Sequence, residues 1–439
     1  MKLLLVIAVV WLFNLNISGQ TAEDYFIRAN SKFDLNDYYG SIQYYNKTIE
    51  LDSLFKDVYN RRGLAKLEIK DYNGAINDFS KAILMEPNNT RALANRADTY
   101  YNLKSYNLAI ADYSKAIEIE PDNIKLIINR GCIQLYCGNF EEAIRDFSSV
   151  IKKDSLNAMA YNNRAVAKSY LKDNEGAIND YNKAIQIVPT FEDAYINRSE
   201  SEYSLHHDSA AQFSCTMAIK INPKSERAYS KRAVYKKKMK DLNGAYEDLD
   251  KALEINPNNA ENLNSRGLLK MEYADYEGAL KDFSKSIRIK PGSADSWYNK
   301  GVADYHLGSF EEAIKDFTNS LAIVPNDEMS WIYRGNARLA INKDKEAMND
   351  FSRAIEINPY NADYYFNRAY SKKEMMDYSG AIADYDIAIE LNPDDAESYF
   401  ARGNAKFAIG LKVTACLDYK MAMELGHKEA GKVYKNLCK

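Results

Sequence analysis

The stretch AENLNSRGLLKMEYADYEGALKDFSKSIRIKPGS, residues 260–293, contains the pattern that decides the fold. Apolar residues recur at helical spacing before and after a short turn, which predicts two helices. Small residues at Gly267 and Ala279 allow the helices to approach closely, and Phe283 fills the space beside them. Pro291 ends the second helix, because proline lacks an N–H and clashes with the preceding turn. The stretch therefore predicts one helix–turn–helix unit.

The same pattern recurs every 34 residues along almost the whole chain. Of the eight intervals between the nine prolines, seven are 34 residues long and one is 68, and Ser155 takes the proline place within the longer one. With proline at position 32, we predict twelve units over residues 22–429, which begin at residues 22, 56, 90, 124, 158, 192, 226, 260, 294, 328, 362 and 396. Position 8 is small in all twelve, position 20 is alanine in eleven, and position 24 is aromatic in ten.

With its large residue at 4, small residue at 8, Ala at 20, aromatic at 24 and Pro at 32, the chain resembles the tetratricopeptide repeat (TPR) family, and specifically a secreted bacterial type. The resemblance implies an all-α, right-handed superhelical solenoid of about twelve helix pairs, with first helices lining a concave, partner-binding face. The unit at residue 192 departs most, with Ser199 at position 8 and Cys215 at position 24. We expect residues 423–439 to form a C-terminal capping helix, because the last repeat of a solenoid otherwise exposes its apolar side.

The N-terminus has the pattern of a secretory signal peptide. Lys2 precedes an apolar run from Leu3 to Phe13, and small or permissive residues follow before Gln20. The run is shorter than the roughly 20 apolar residues that a membrane-spanning helix needs. We expect residues 1–19 to be removed and the chain to be exported, to the periplasm or outside the cell.

Composition and motifs argue against several function classes. The formal net charge is -4, without the basic excess that is typical of nucleic-acid binders. Neither a P-loop nor a dinucleotide-binding glycine motif is present, and the four histidines are scattered apart from one adjacent pair. We therefore expect no enzyme activity, no cofactor and no nucleic-acid partner. A metal site at His206, His207 and Asp208 is not expected, because adjacent side chains diverge and no further ligand follows at helical spacing.

A charged pair recurs with the repeat. Position 7 is arginine in eleven units, as in Arg62 and Arg96, and position 23 is aspartate in ten, as in Asp78 and Asp112. We interpret these residues as a ladder of partly buried ion pairs that sets the register of the helices. A rail that binds acidic ligands is the alternative.

Five cysteines suggest one disulfide. Cys132 and Cys137 lie about 140° apart around a helix, so neither a bridge nor a shared metal is expected between them. Cys215 is predicted to be a buried thiol. Cys416 and Cys438 lie on the last repeat helix and the capping helix, and an oxidising compartment would allow a bridge that closes the C-terminus. Two unpaired core thiols are the alternative.

Binding residues are sought at positions 5, 9 and 12 of the first helices, which should face the groove. In the last four units these positions combine aromatic rings with asparagines, which suit a peptide ligand. The candidate groove residues are Tyr298, Val302, Tyr305, Ile332, Asn336, Phe366, Tyr370, Phe400, Asn404 and Phe407. A basic band, represented by Arg227 and Lys237, is interpreted as solvated helix faces, and docking of an acidic segment is the alternative. Packing against neighbouring helices is the alternative for part of the apolar surface.

These observations predict a non-enzymatic scaffold that binds a protein or peptide outside the cytoplasm. The alternative is a structural subunit of an envelope or secretion assembly, which would use the convex face or the ends. Repeat patterns encode a shape and do not name a ligand.

Overall fold

A computed structural model describes residues 20–438, and this part of the chain consists of helices and short connections. The predicted signal peptide at residues 1–19 lies outside the described residues. The helices are α1 (Ala22–Asp34), α2 (Tyr38–Leu51), α3 (Val58–Glu68), α4 (Tyr72–Met85), α5 (Thr90–Asn102), α6 (Tyr106–Ile119), α7 (Ile124–Tyr136), α8 (Phe140–Lys153), α9 (Ala158–Tyr170), α10 (Asn174–Ile187), α11 (Glu192–Ser204), α12 (Asp208–Ile221), α13 (Glu226–Lys238), α14 (Leu242–Ile255), α15 (Ala260–Glu272), α16 (Tyr276–Ile289), α17 (Ala294–His306), α18 (Phe310–Ile323), α19 (Glu328–Ala340), α20 (Asp344–Ile357), α21 (Ala362–Glu374), α22 (Tyr378–Leu391), α23 (Ala396–Ala408), α24 (Lys412–Glu424) and α25 (Ala430–Leu437). The all-α prediction is confirmed.

The helices belong to two compact units. The first unit ends at Pro223 and contains α1 to α12, and the second begins at Lys224 and contains α13 to α25. In both units an odd-numbered helix packs against the even-numbered helix that follows it, and each pair packs against the next. The odd-numbered members are called first helices below, and their even-numbered partners second helices. None of the helices in residues 20–438 has both the length and the apolar character needed to cross a membrane.

The start of many second helices is set by a pair of residues. Asp71 precedes α4, and its carboxylate accepts a hydrogen bond from the backbone N–H of Gly74 at 3.0 Å. A Cβ on Gly74 would lie 2.1 Å from Asp71 Oδ2, so the close approach of the cap requires glycine. The same arrangement recurs at Asp37–Gly40, Asp173–Gly176, Asp241–Gly244, Asp275–Gly278 and Asp377–Gly380.

The core of each pair forms where a small residue of the first helix meets an aromatic ring of the second. Phe283 is fully buried, and its ring covers Gly267 so closely that a Cβ there would lie 2.6 Å from Cε1. Ala279, one turn before the ring, is also fully buried. The small and aromatic positions predicted from the sequence therefore make the contact that holds the two helices together.

The C-terminal helix is shorter than expected. Instead of residues 423–439, α25 covers Ala430–Leu437, because α24 continues to Glu424 and Gly426 turns the chain with a φ of 89°. Ala430 stands 34 residues after Ala396, so α25 begins where another first helix would begin. The cap is thus a truncated first helix in the same register, and Ala430 is fully buried.

Candidate functional site

The recurring arginine and aspartate form two-pronged ion pairs between the helices of a pair. In α7 and α8, Arg130 Nε and Nη2 donate to the two carboxylate oxygens of Asp146 at 2.9 and 2.6 Å. Its Nη1 donates to Ser114 Oγ of the preceding pair at 2.9 Å. Arg96 repeats this arrangement with Asp112 and Ser80. Each such arginine therefore ties its own second helix to the previous one.

A further cation that sequence reasoning missed shares many of these aspartates. Lys66 lies one turn after Arg62, and its Nζ contacts Asp78 Oδ2 at 2.8 Å while Arg62 contacts Oδ1 at 2.6 Å. The signal was available as a lysine four residues after the arginine. The same three-residue cluster forms around Asp180, Asp248, Asp282, Asp384 and Asp418, and around Asp350 with a second arginine.

The burial of the aspartates and their pairing with cations show that these clusters belong to the packing between helices. Asp350 is 1% exposed and Asp78 is 3% exposed. The hydrogen bonds to Asp112 raise the pKa of Arg96, and those to Asp384 raise the pKa of Arg368. Because these arginines are already paired with buried aspartates, they do not form a rail for acidic ligands. The arginines also lie over aromatic rings one turn earlier, as Arg334 does over Trp331 at 4.5 Å.

Three pairs depart from the Arg–Asp pattern, and in α1 and α2 the aspartate place is taken by Tyr44. In α11 and α12 the aspartate is replaced by Ser214, and Glu202 takes the lysine place, so the carboxylate moves to the first helix and pairs with Arg198 at 3.2 Å. Burial raises the pKa of Glu202. Cys215 is buried as predicted and contacts Ser199 Oγ at 3.3 Å. Arg198 therefore still pairs with a carboxylate, although both the aspartate and the lysine positions hold other residues in this pair.

The pair α17 and α18 instead holds two carboxylates and one cation. Lys300 Nζ lies 2.6 Å from Asp316 Oδ2 and 3.1 Å from Asp304 Oδ2, and both aspartates are buried. Burial, with a smaller contribution from Asp304, raises the pKa of Asp316 to about 7. This is a titratable cluster at a position where seven other pairs hold two cations beside one aspartate.

The candidate groove residues lie on four first helices of the second unit, α17, α19, α21 and α23. Val302 and Ile332 are buried at 8% exposure, so these two do not offer surface to a partner and the prediction is wrong for them. Val302 packs with Phe317, and Ile332 packs with Phe351. In these two helices the aliphatic side chain at position 9 or 5 completes the core, whereas Val234, at position 9 of α13, is 46% exposed.

Several of the aromatic candidates are also held by other rings. Tyr298 lies 5.9 Å from Phe317 and 5.8 Å from Tyr333, and Phe366 lies 5.5 Å from Tyr385. Tyr305 similarly contacts Phe310 and Tyr333. These residues are half-buried, so one side of each ring belongs to the packing that the alternative interpretation expected.

The C-terminal segment covers one predicted groove residue. His427 stacks on Phe400 with ring centroids 4.1 Å apart, and its Nε2 lies 3.0 Å from the Glu397 carboxylate. His427 stands where the repeat places proline, just before α25. Phe400 is therefore part of the cap contact.

The accessible candidates lie on α21 and α23, which contact each other directly. Tyr370 is 39% exposed, and Lys373 Nζ lies 4.3 Å from the centre of its ring. Asn404 is exposed and accepts a hydrogen bond from the Tyr419 hydroxyl at 3.0 Å. Phe407 is half-buried, as is Asn336 on α19.

Asparagines also link neighbouring first helices, which the sequence analysis did not anticipate. Asn95 donates to Asn60 at 3.0 Å, and Asn299 donates to Asn264 at 3.1 Å. These contacts join residues 35 apart, one repeat plus one position. The asparagines at positions 5 and 6 were a usable signal, since a pair of amides can satisfy each other between helices.

Profile comparisons cover more than half of the chain. Profiles described as tetratricopeptide repeat match residues 57–89, 90–123, 128–190, 226–259 and 294–327, and one described as TPR repeat matches residues 335–375 and 377–410. The chain belongs to the tetratricopeptide repeat family. No curated protein matches this TPR chain.

Solved structures with a similar chain path include several TPR proteins. MamA 41-end from Desulfovibrio magneticus RS-1 is 20% identical, with 38% of this chain and 94% of that chain covered and a TM-score of 0.37. YrrB, described as a TPR protein with an unusual peptide-binding site, is 22% identical over 42% of this chain and 95% of that chain, with a TM-score of 0.37. The APC/C hetero-tetramer Cut9–Hcn1 covers 98% of both chains at 12% identity and a TM-score of 0.41.

The remaining candidates of this TPR protein were cysteines, histidines and a basic band. The structure joins Cys416 to Cys438 by a disulfide, with the two Cα atoms 5.6 Å apart, and Cys132, Cys137 and Cys215 do not take part in it. Within residues 20–438, groups of three or more side chains suited to a metal ion are absent. Arg227 and Lys237 of the basic band are both exposed on α13.

Proposed function

We propose that this protein is an exported, non-enzymatic scaffold that binds a peptide segment of a partner protein on the first helices α21 and α23. The observation that carries the proposal is the exposed ring of Tyr370 beside accessible Asn404 and Phe407. An aromatic ring can anchor an apolar side chain of the ligand, and an asparagine amide can bond its backbone. Membership of the TPR family supports a binding role.

Export is supported by two independent features. The N-terminal sequence has the pattern of a signal peptide. The disulfide between Cys416 and Cys438 is of a kind that persists in oxidising compartments and is rare in the cytosol.

The test uses variants that keep the fold. Asn30 and Asn404 stand at the same repeat position as Tyr370, and they accept hydrogen bonds from the hydroxyls of Tyr45 and Tyr419. Tyr370→Asn therefore gives the buried Tyr385 hydroxyl, which has no partner among the described residues, an equivalent acceptor. Phe407→Ser follows Ser169, which stands at the same place in α9.

The chain from residue 20 is panned against a displayed library of 12-residue peptides, and selected peptides are titrated against both variants. We expect selected peptides to share a motif and to bind at least tenfold more weakly to the double variant Tyr370→Asn/Phe407→Ser. Tyr360→Ser, at a ring that is 83% exposed in the connection after α20, is the matched control. Peptides that bind the double variant with unchanged affinity would place the binding surface elsewhere.

A further inference from the structure

A second accessible surface lies in the first unit, on helices that the proposed peptide site does not include. A cleft of about 630 Å³ opens between the C-terminal ends of α7 and α9, which contact each other directly. It is lined by Cys132, Leu135, Tyr136, Cys137, Gly138, Phe140, Val166 and Tyr170. These eight residues include no charged side chain and no amide. The lining is thus aromatic and apolar, with hydroxyls and thiols as its polar side-chain groups.

Two tyrosines form the walls of the cleft, and each is held in place by another ring. Tyr136 lies 5.2 Å from Tyr106, whereas Tyr170 stacks on Phe140 at 4.8 Å with the two planes 3° apart. Tyr136 and Tyr170 nevertheless remain 65% and 62% exposed. The rings are therefore oriented before any ligand binds, which reduces the entropy lost on binding.

The fold does not require tyrosine at these two places. Tyr136 and Tyr170 are the last residues of their first helices. The corresponding last residues of the other first helices are Asp34, Glu68, Asn102, Ser204, Lys238, Glu272, His306, Ala340, Glu374 and Ala408. Because charged, polar and small residues all occupy this place in the same chain, packing does not explain two consecutive exposed tyrosines.

We propose that this cleft binds a proline-rich segment of a partner protein in the polyproline II conformation, with Tyr136 and Tyr170 contacting two prolines. Aromatic-lined grooves recognise such segments because the polyproline II helix is already ordered before it binds. Prolines three residues apart in this helix are separated by about 9 Å. Packed helices lie about 8–10 Å apart, so one proline can meet each tyrosine.

Hydrogen bonding fits the same ligand. A polyproline II segment makes no internal hydrogen bonds, so its carbonyl oxygens are free to accept. Tyr136 is 65% exposed, so its hydroxyl is accessible and can donate to such a carbonyl. The uncharged lining favours a segment without charged side chains. A saccharide would need several side chains that bond its hydroxyls, and the eight lining residues offer no amide or carboxylate for this.

The test is fluorescence polarisation of fluorescein-labelled decaproline with the disulfide-bonded chain from residue 20. Tyr136→Ser and Tyr170→Ser are tolerated because Ser204 stands at the same place in α11. Each single variant should weaken binding about tenfold, and the double variant should show no saturable binding. Tyr360→Ser in the second unit serves as the exposed-tyrosine control and should bind normally. Melting curves of all variants show whether each remains folded.

Three outcomes would overturn this proposal. Decaproline that does not saturate the chain at millimolar concentration excludes the ligand class. Unchanged binding by the double variant moves the ligand to another surface. Labelled chitotetraose that binds in place of decaproline, with the same dependence on the two tyrosines, makes the cleft a saccharide site. Because the residues lie on α7 and α9, none of these results affects the test on α21 and α23.

Discussion

At the scale of single residues, buried aspartates organise the contacts between helices. Asp350 accepts from Arg334 at 2.8 and 3.1 Å and from Arg338 at 2.6 Å, and it is 1% exposed. A buried ion pair adds little stability over an apolar pair of the same shape, but removing one partner leaves an uncompensated charge. These clusters therefore make a wrong register of the helices unfavourable.

Asp350→Asn should lower the free energy of unfolding by about 3 kcal/mol, because two guanidinium groups lose their shared counter-charge. Urea unfolding can be followed by the fluorescence of Trp331, whose ring lies under Arg334. Glu356→Gln is the control, since Glu356 forms a 2.7 Å pair with Arg353 in which both side chains are more than 60% exposed. The control should change stability by less than about 0.5 kcal/mol. Equal effects would contradict a special role for the buried cluster.

The cluster of Lys300, Asp304 and Asp316 predicts a pH dependence. The pKa of Asp316 is raised from 3.8 to about 7, so the folded state holds this proton more tightly than the unfolded state. Its contribution to stability is therefore greatest below about pH 4, falls as the pH rises to about 7, and is constant above.

Asp304→Gln should raise stability at pH 8 relative to the unchanged chain, and this gain should shrink at pH 5, where Asp316 is protonated in the folded state. Gln134 stands at the same place in α7, so the substitution fits the helix. Urea unfolding at the two pH values measures the difference. A gain that is independent of pH would show that Asp316 is not the titrating group.

At the scale of helix pairs, the small and aromatic positions vary together. Phenylalanine always faces glycine, in the pairs Gly63–Phe79, Gly131–Phe147, Gly267–Phe283, Gly301–Phe317 and Gly335–Phe351. Tyrosine faces alanine in four pairs and glycine in one, at Gly403. Three of these tyrosine hydroxyls bond the polar residue next to the small one, as Tyr45 does with Asn30 at 2.7 Å, whereas the Tyr385 hydroxyl has no partner within residues 20–438. We infer that this bond stabilises the ring position that an alanine Cβ imposes.

Gly335→Ala should therefore lower the free energy of unfolding by about 1–3 kcal/mol, because its Cβ would lie 2.7 Å from Phe351 Cε1. Adding Phe351→Tyr should recover about 1 kcal/mol, since Asn336 can accept the new hydroxyl. A double-mutant cycle by urea unfolding measures the coupling. Gly403→Ala should lower the free energy of unfolding less than Gly335→Ala does, because Gly403 already faces Tyr419, whose hydroxyl bonds Asn404. Strict additivity of the two changes would contradict the inferred link.

The disulfide ties the shortest described helix, α25, to the helix before it. The bridge closes a loop of 22 residues and joins α24 to the residue after α25. With eight residues, α25 is too short to be stable alone. Closing a loop of this length stabilises a fold by about 3 kcal/mol.

Reduction of Cys416–Cys438 should therefore increase hydrogen exchange in residues 425–438 while α15 and α16 remain protected. Exchange is measured by mass spectrometry with and without a phosphine reductant. Cys215→Ser, at a buried thiol outside this bridge, controls for effects of the reductant that do not involve the bridge. Unchanged protection of α25 after reduction would show that packing of Ala430 and the contact of His427 with Phe400 suffice.

At the scale of the whole molecule, the proposed export predicts where the chain is found in the cell. When the full chain is expressed in a Gram-negative host, we expect the protein in the periplasmic fraction with Gln20 as its first residue. Intact mass and N-terminal sequencing check this, and deletion of residues 2–13 is the control that should retain the chain in the cytoplasm. An uncleaved N-terminus in the membrane fraction would replace the export proposal with a membrane anchor.

The periodic sequence by itself determined the helical fold. The recurrence of small, aromatic and proline residues at 34-residue spacing specifies helix pairs, because each pair faces the same packing problem as its neighbours. The paired Arg and Asp positions were recognisable for the same reason.

The tertiary structure alone decided which side chains remain accessible. Val302 and Ile332 share positions with Tyr370 and Phe400 in the sequence frame, yet the first two are buried and Phe400 is covered by His427. The cleft between Tyr136 and Tyr170 also has no signature in the repeat pattern, since these two tyrosines are exceptions at their position. The repeat specifies the packing residues that every unit shares. The solvent exposure of a given side chain depends instead on its rotamer and on the side chains of the neighbouring repeats. Burial at a binding surface is therefore a property of the folded chain.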